Sequence, residues 1–161
     1  MVFGLGGDAA VRIARDKVAM LYFAYGSNMS RGPMRQRCTT AEDAGRAILR
    51  DHRFVIMANG YASVVPAKGE DVHGILWRVG PRDLAALDEY EDVAGGLYRR
   101  AMLPLLQNGI AVEALVYLGN ETREGHPREA YMTLVIDAAR DCGLPDHYVA
   151  SLARITPGAA R

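Results

Sequence analysis

Two β-type runs, 97–106 and 110–118, meet at Gln107-Asn108-Gly109, and no other feature constrains the fold of this chain as tightly. Asn-Gly supplies the positive φ angles that a short hairpin turn demands, so the two runs pair antiparallel. Runs of similar character lie upstream. Residues 20–25 are apolar and aromatic and stop at Gly26-Ser27-Asn28, a turn-type cluster, which describes a buried strand entering a tight loop. Residues 46–58 alternate poorly at first and well later, and end at the turn former Asn59-Gly60. Residues 61–66 and 72–79 are further strand candidates, separated by a loop over 67–71, with the sole tryptophan, Trp77, in the second.

The period then changes. Gly80-Pro81 breaks the β pattern, and Leu84, Leu87 and Tyr90 recur at three and four, predicting a short helix that ends before Gly95-Gly96. Earlier, Ser30 caps a short helix through Met34 and Cys38, with Pro33 in its first turn. From Pro127 a stripe of Tyr131, Leu134, Val135, Ala138 and Ala139 predicts a helix stopping near Gly143, and Pro145 opens a last one through Tyr148 and Leu152 to Ile155. No repeat or linker divides this order, and strands do not alternate singly with helices. The expectation is one α+β domain, a small mixed or antiparallel curved sheet or barrel with flanking helices. It spans 20–156, after a flexible N-terminal extension at 1–19 and before a tail at 157–161.

Composition narrows the partners. The 161 residues carry 19 Lys+Arg against 19 Asp+Glu, and this balance leaves no long-range field for a polyanion, so neither nucleic acid nor an anionic membrane surface is expected. The longest apolar runs, such as 110–118 with Glu113 inside it, fall short of the roughly 20 residues of a membrane helix. Before Met20, Asp8, Arg12, Arg15 and Asp16 interrupt any signal-peptide core. Cys38 and Cys142 stand alone, with no CxxC pair, which fits a reducing cytoplasmic location and thiols in or near the core. His52, His73, His126 and His147 are scattered without a partner at i+3 or i+4, so no metal site is expected. There is no GxSxG nucleophile, and Gly4, Gly6 and Gly7 follow no strand that would make them a dinucleotide loop.

Two features remain. In the loop Tyr25-Gly26-Ser27-Asn28, glycine lets the backbone approach a ligand and adjacent N–H groups can converge on an anion; the plainer reading is a strand-to-helix turn. The second is the acidic segment Asp88-Glu89-Tyr90-Glu91-Asp92. Helical spacing from Leu84 and Leu87 turns Glu91 inward while Asp88, Glu89 and Asp92 reach water. An inward carboxylate is costly, and burial raises its pKa toward a value useful for proton transfer. The plainer reading pairs Glu91 with Arg99, Arg100 or a backbone donor, or leaves it on a solvated helix end.

Taken together, LYFAYGSNM, GILWRV, LDEYEDVAGGLYRR, a Pro-x-x-x-Tyr element and CGLPDHYVASL, in this order, resemble the gamma-glutamylcyclotransferase family over nearly the whole chain after Met20. The resemblance implies a small α+β barrel-like domain with a cavity between the YGSN loop and the LDxxE helix. It implies an enzyme that converts a gamma-glutamyl amino acid or amine to 5-oxoproline and free amine, with no metal or cofactor. Glu91 then matches the catalytic acid/base, and Tyr22, Tyr25, Gly26, Ser27 and Asn28 match the segment that holds the glutamyl moiety. Tyr131 matches a pocket tyrosine, Tyr98 a structural one, and Asp92 stands where many relatives carry glycine. The expected partner is a small-molecule gamma-glutamyl substrate, handled by a monomer or homodimer. The alternative is a non-catalytic module of the same fold that binds a small carboxylate or a protein partner.

Overall fold

The computed structural model of the chain describes residues 19–155. The expected extension, apart from its last residue, and the expected tail lie outside the described residues. Five strands close into a barrel in the order β1-β3-β2-β4-β5, where β1 is Met20–Ala24, β2 Glu42–Ile56, β3 Ala62–Val79, β4 Tyr98–Gln107 and β5 Ile110–Gly119. A single 3-10 turn, Ser27–Met29, follows β1. Four α-helices flank the barrel among the described residues: α1 (Arg31–Arg37), α2 (Pro81–Tyr90), α3 (Tyr131–Asp141) and α4 (Asp146–Ala153). This is the mixed form of the α+β architecture expected from sequence.

The hairpin forms as its turn dictates. Asn108 and Gly109 take φ of 50° and 76°, and β4 pairs antiparallel with β5 from Gln107↔Ile110 to Tyr98↔Gly119. Closure falls to β1, which runs antiparallel to β3 on one side and parallel to β5 on the other, at Tyr22↔Leu115. None of the helices among the described residues is long and apolar enough to cross a membrane.

Three boundaries differ from the sequence reading, each for a local reason. Residues 61–66 and 72–79 are not two strands but parts of the one strand β3. Between Arg50 and His52 the β3 partner jumps from Asp71 to Pro66, so 67–70 swing out of the ladder without ending it. Asp51, at φ 57°, secures the excursion by accepting the Gly69 N–H at 2.8 Å. The polar stretch before residue 46 conceals the start of β2 at Glu42, where a register shift between Asp43 and Arg46, with Gly45 at φ 91°, scrambles the alternation. Finally, α3 starts at Tyr131 rather than Pro127, because Ala130 takes a left-handed φ of 60° just before it.

The core runs through the barrel and under the helices. Phe23, Leu76, Trp77, Leu87 and Val135 are fully buried within one apolar cluster. Gly74 lets β1 lie directly on β3: a Cβ there would meet the Ala24 carbonyl oxygen and stand 2.7 Å from the Phe23 ring. Replacement of Gly74 by alanine therefore overpacks the closing strand. We expect Gly74→Ala to cost about 2–3 kcal/mol, read as a lower urea midpoint at unchanged slope.

Candidate active site

The inward turn of Glu91 is built from the start of α2. Pro81 opens the helix, and the buried Asp83 accepts the Gly80 N–H at 3.0 Å and hydrogen bonds from the Thr40 hydroxyl and N–H. These bonds tie the helix start to the segment after α1. Leu87, fully buried, sets the rotation of the helix. The helix ends at Tyr90, and Glu91 is its C-cap, at φ −84° and ψ 0°, with its N–H still bonded to the Leu87 carbonyl at 2.8 Å. Helical spacing from Leu84 and Leu87 thus carries one residue past the helix. Asp92 then takes φ 49°, a left-handed value that glycine adopts at no steric cost. Its carboxylate holds the turn by accepting the Gly95 N–H at 3.1 Å.

The other wall comes from β1 and the loop after it. Tyr22 and Tyr25 are buried at the strand end, and Ser27 and Asn28 open the 3-10 turn, whose first N–H groups have no acceptor inside the turn. At Gly26 the fit is close: a Cβ on it would stand 3.2 Å from the Tyr131 hydroxyl, which would have to give way by a few tenths of an ångström. Tyr22, Tyr25, Gly26, Ser27, Asn28, Glu91 and Tyr131 all line one cavity of about 220 Å³, so the structure brings every sequence-predicted site residue together. Two larger surface hollows, of about 470 and 500 Å³, contain none of them. No group of three His, Cys, Asp or Glu able to hold a metal ion occurs among the described residues.

Asn28 is the junction of the site. Its side-chain amide donates to the Tyr22 hydroxyl at 2.9 Å and to Glu91 Oε1 at 3.3 Å, while its carbonyl oxygen accepts from Arg37. Its main-chain carbonyl accepts the indole N–H of Trp77 at 3.1 Å. Burial pushes the Glu91 carboxyl up to about 7, against a smaller downward pull from the Arg37 guanidinium. Burial likewise pushes the hydroxyls of Tyr22, Tyr25, Tyr98, Tyr117 and Tyr131 well above their usual range, so these five stay neutral at any physiological pH.

Neither arginine considered as a partner in the sequence reading pairs with Glu91. Arg100 forms a two-pronged ion pair with Asp88, at 2.8 and 2.6 Å, and Arg99 reaches Asn120 and the Gly119 carbonyl. Asp88 does not simply face water as expected. It is half-buried, accepts the Tyr117 hydroxyl at 2.8 Å, and is held below the usual carboxylate range chiefly by its bonds from Arg100.

Several lining residues escaped the sequence reading. Tyr98, taken as structural, is both: it lines the cavity and donates its hydroxyl to the Ala62 carbonyl. Tyr61, Tyr90, Leu97, Tyr117 and Leu134 also line it. Tyr90 sits beside Glu91 in the same segment and could have been noticed. Tyr117 and Arg37 carry no local signal, since barrel closure and the end of a seven-residue helix bring them in.

The raised Glu91 pKa implies a stability cost that grows with pH. The folded state holds the Glu91 proton up to about pH 7, whereas the unfolded chain releases it near 4.5, so folding loses free energy as pH rises through this window. Glu91→Gln removes that loss. The variant is expected to match the wild type near pH 4 and exceed its stability by about 1–3 kcal/mol at pH 8, measured by denaturant unfolding at both pH values.

Comparison with known proteins converges on one family. The model of the family described as Gamma-glutamyl cyclotransferase, AIG2-like matches residues 22–133. The chain is 28% identical to a human protein named gamma-glutamylcyclotransferase, over 88% of this chain and 81% of that one. A mouse protein of the same name is 27% identical over 93% and 86%. A solved structure titled gamma-glutamyl cyclotransferase superposes with a TM-score of 0.81, covering 88% of this chain and 90% of that one at 26% identity.

Proposed function

The chain belongs to the gamma-glutamyl cyclotransferase, AIG2-like family, and from that membership we propose that its cavity converts a gamma-glutamyl amino acid or amine to 5-oxoproline and a free amine, with Glu91 carrying the protons. The observation that carries this reading is a largely buried carboxyl, pushed up to about 7 by that burial, hydrogen-bonded to Asn28 and lining the same cavity as Gly26 and Ser27.

The reaction needs no enzymic nucleophile. The substrate's own α-amine attacks its γ-carbonyl, and holding both groups in one small cavity supplies the proximity. Glu91, as the carboxylate, takes a proton from the α-ammonium. The amine then adds to the γ-carbonyl, the ring C–N bond forms, and the carbonyl oxygen gains negative charge. Glu91 returns the proton to the leaving nitrogen as the old C–N bond breaks, then relays the second proton of the ring nitrogen to the freed amine, so that a neutral lactam and an ammonium product form and Glu91 ends as the carboxylate it started as. A pKa near neutrality suits both halves of this cycle. In this reading, backbone N–H groups at the opening of the 27–29 turn meet the substrate carboxylate or the developing oxyanion. The Tyr131 hydroxyl, close to Gly26, forms part of the wall around the glutamyl moiety in this reading.

Leu134 and Tyr90, the most exposed lining residues, stand at the mouth, where the leaving amine would exit. A binding module without turnover is not favoured, because it gives the costly burial of Glu91 no purpose. We take residues 20–156 as the catalytic unit and the cytoplasm as its location, in keeping with the buried, unpaired thiols of Cys38 and Cys142.

The test is release of 5-oxoproline and amine from a panel of gamma-glutamyl amino acids and gamma-glutamyl amines. The wild type is expected to turn over at least one, with kcat/KM rising with pH through about 7 as Glu91 ionises. Glu91→Gln, folded, is expected to lose about 1,000-fold or more. Absence of turnover across the panel would overturn the reading.

A further inference from the structure

Arg37 does not line the cavity, yet it holds the residue that addresses the catalytic carboxylate. It is the last residue of α1, half-buried, with its guanidinium 3.4 Å from the centroid of the Tyr90 ring and one N–H donated to the Asn28 side-chain carbonyl. It joins none of the ion pairs among the described residues, so neither Glu91 nor any other carboxylate is its direct partner.

We propose that Arg37 is a positioning residue for Glu91, fixing the Asn28 amide in the orientation that turns its N–H groups toward Glu91 and Tyr22. The proposal rests on the reading of Glu91 as the proton carrier. The physical argument is one of donors and acceptors. An asparagine amide has two orientations related by a half-turn, with oxygen and nitrogen exchanged. Asn28 is 2% exposed, so its amide depends on Arg37, Tyr22 and Glu91 for its partners. A guanidinium has donors only. With Arg37 in place, the half-turned amide would set its NH2 against the guanidinium and its oxygen against the Glu91 carboxylate, two repulsive contacts in place of two hydrogen bonds. Without Arg37, nothing on that side distinguishes the orientations.

The main chain of Asn28 is pinned separately by Trp77, and Ser27 is tied through its hydroxyl to that of Tyr90 at 3.1 Å. Loss of Arg37 would therefore release the amide and not the loop. The correctly set amide does two things for Glu91. It favours the ionised form by donating to Oε1, and it holds that oxygen in place while the other is left to the reaction.

The other groups facing Glu91 do not compete for this role. Tyr22 from β1, Tyr25 just after it, Tyr98 from β4 and Tyr131 from α3 are neutral hydroxyls, and Tyr90 lies alongside on α2. Asp88 is engaged by Arg100 and Tyr117, which leaves Arg37 as the charge acting on Glu91.

The experiment compares the full chain with Arg37→Gln and Arg37→Lys, following kcat/KM for 5-oxoproline release against pH and, in parallel, the Glu91 titration by carbon-13 NMR of glutamate-labelled protein, assigned with Glu91→Gln. The expected result is an acidic limb and a Glu91 titration both moved up by about one pH unit in Arg37→Gln, with about a tenfold loss at pH 6.5 and KM nearly unchanged. Arg37→Lys keeps a donor-only cation and is expected to restore at least half of the shift. An unmoved limb and titration in folded Arg37→Gln, or a loss equal at all pH values, would overturn the proposal. If Arg37→Gln fails to fold, Arg37→Met, which keeps an apolar stem against Tyr90, carries the same comparison. If the wild type turns over no substrate, the functional reading fails, while the NMR titration still decides the role of Arg37: a shift in Arg37→Gln that shrinks by at least half when the same substitution is made on an Asn28→Ala background sustains it, and constancy, or an equal shift on both backgrounds, ends it.

Discussion

The architecture depends on closing a barrel with a five-residue strand. β1 must satisfy β3 along its antiparallel edge and β5 along its parallel edge at once, so its register and the direction of its end are fixed from both sides. Parallel neighbours cannot be joined by a tight turn, and the chain between β1 and β5 supplies the other three strands and two of the helices. Where β1 ends, the backbone has left the sheet but not yet entered a helix, and its polar groups are free to meet a ligand. The absent side chain at Gly74 is what lets β1 settle there.

Opposite this loop, a helix of ten residues ends in a carboxylate. The cost of withdrawing that carboxylate from water is met in part by one amide and one distant cation, not by an ion pair. A direct arginine partner would have lowered the pKa below the useful range and made the group a poor proton carrier. Asp88, three residues earlier and paired with Arg100, illustrates that outcome on the same helix. Two carboxylates one turn apart are thus driven in opposite directions by what lies across from them.

Much of this was legible in the sequence. The Asn108-Gly109 turn and the period change at Gly80-Pro81 are local signals, and both held because local chemistry decides them. The inward face of Glu91 was legible from Leu84 and Leu87, although the residue proved to be a cap. The segment 67–71 misled, because a ladder can carry an excursion of four residues without ending, and polarity alone reads such an excursion as a loop. Arg37 and Tyr117 were invisible for a different reason. Their contribution depends on elements far apart in the chain, and nothing in the residues around them reports the closure that brings those elements together.

The hydroxyls in the cavity wall also act as stitches. Tyr25 bonds across to the carbonyl of Tyr117 on β5, Tyr98 to that of Ala62 on β3, and Tyr117 to Asp88 on α2. A residue that shapes the pocket thereby also fastens one element to another, and exchanging it for the sake of a new ligand would loosen the scaffold that holds the ligand. Evolutionary room for a new leaving group is confined to the mouth, where the side chain of Leu134 carries no such duty. On the proposed function, a change in what is released would fall on that mouth and leave the inner chamber as it is.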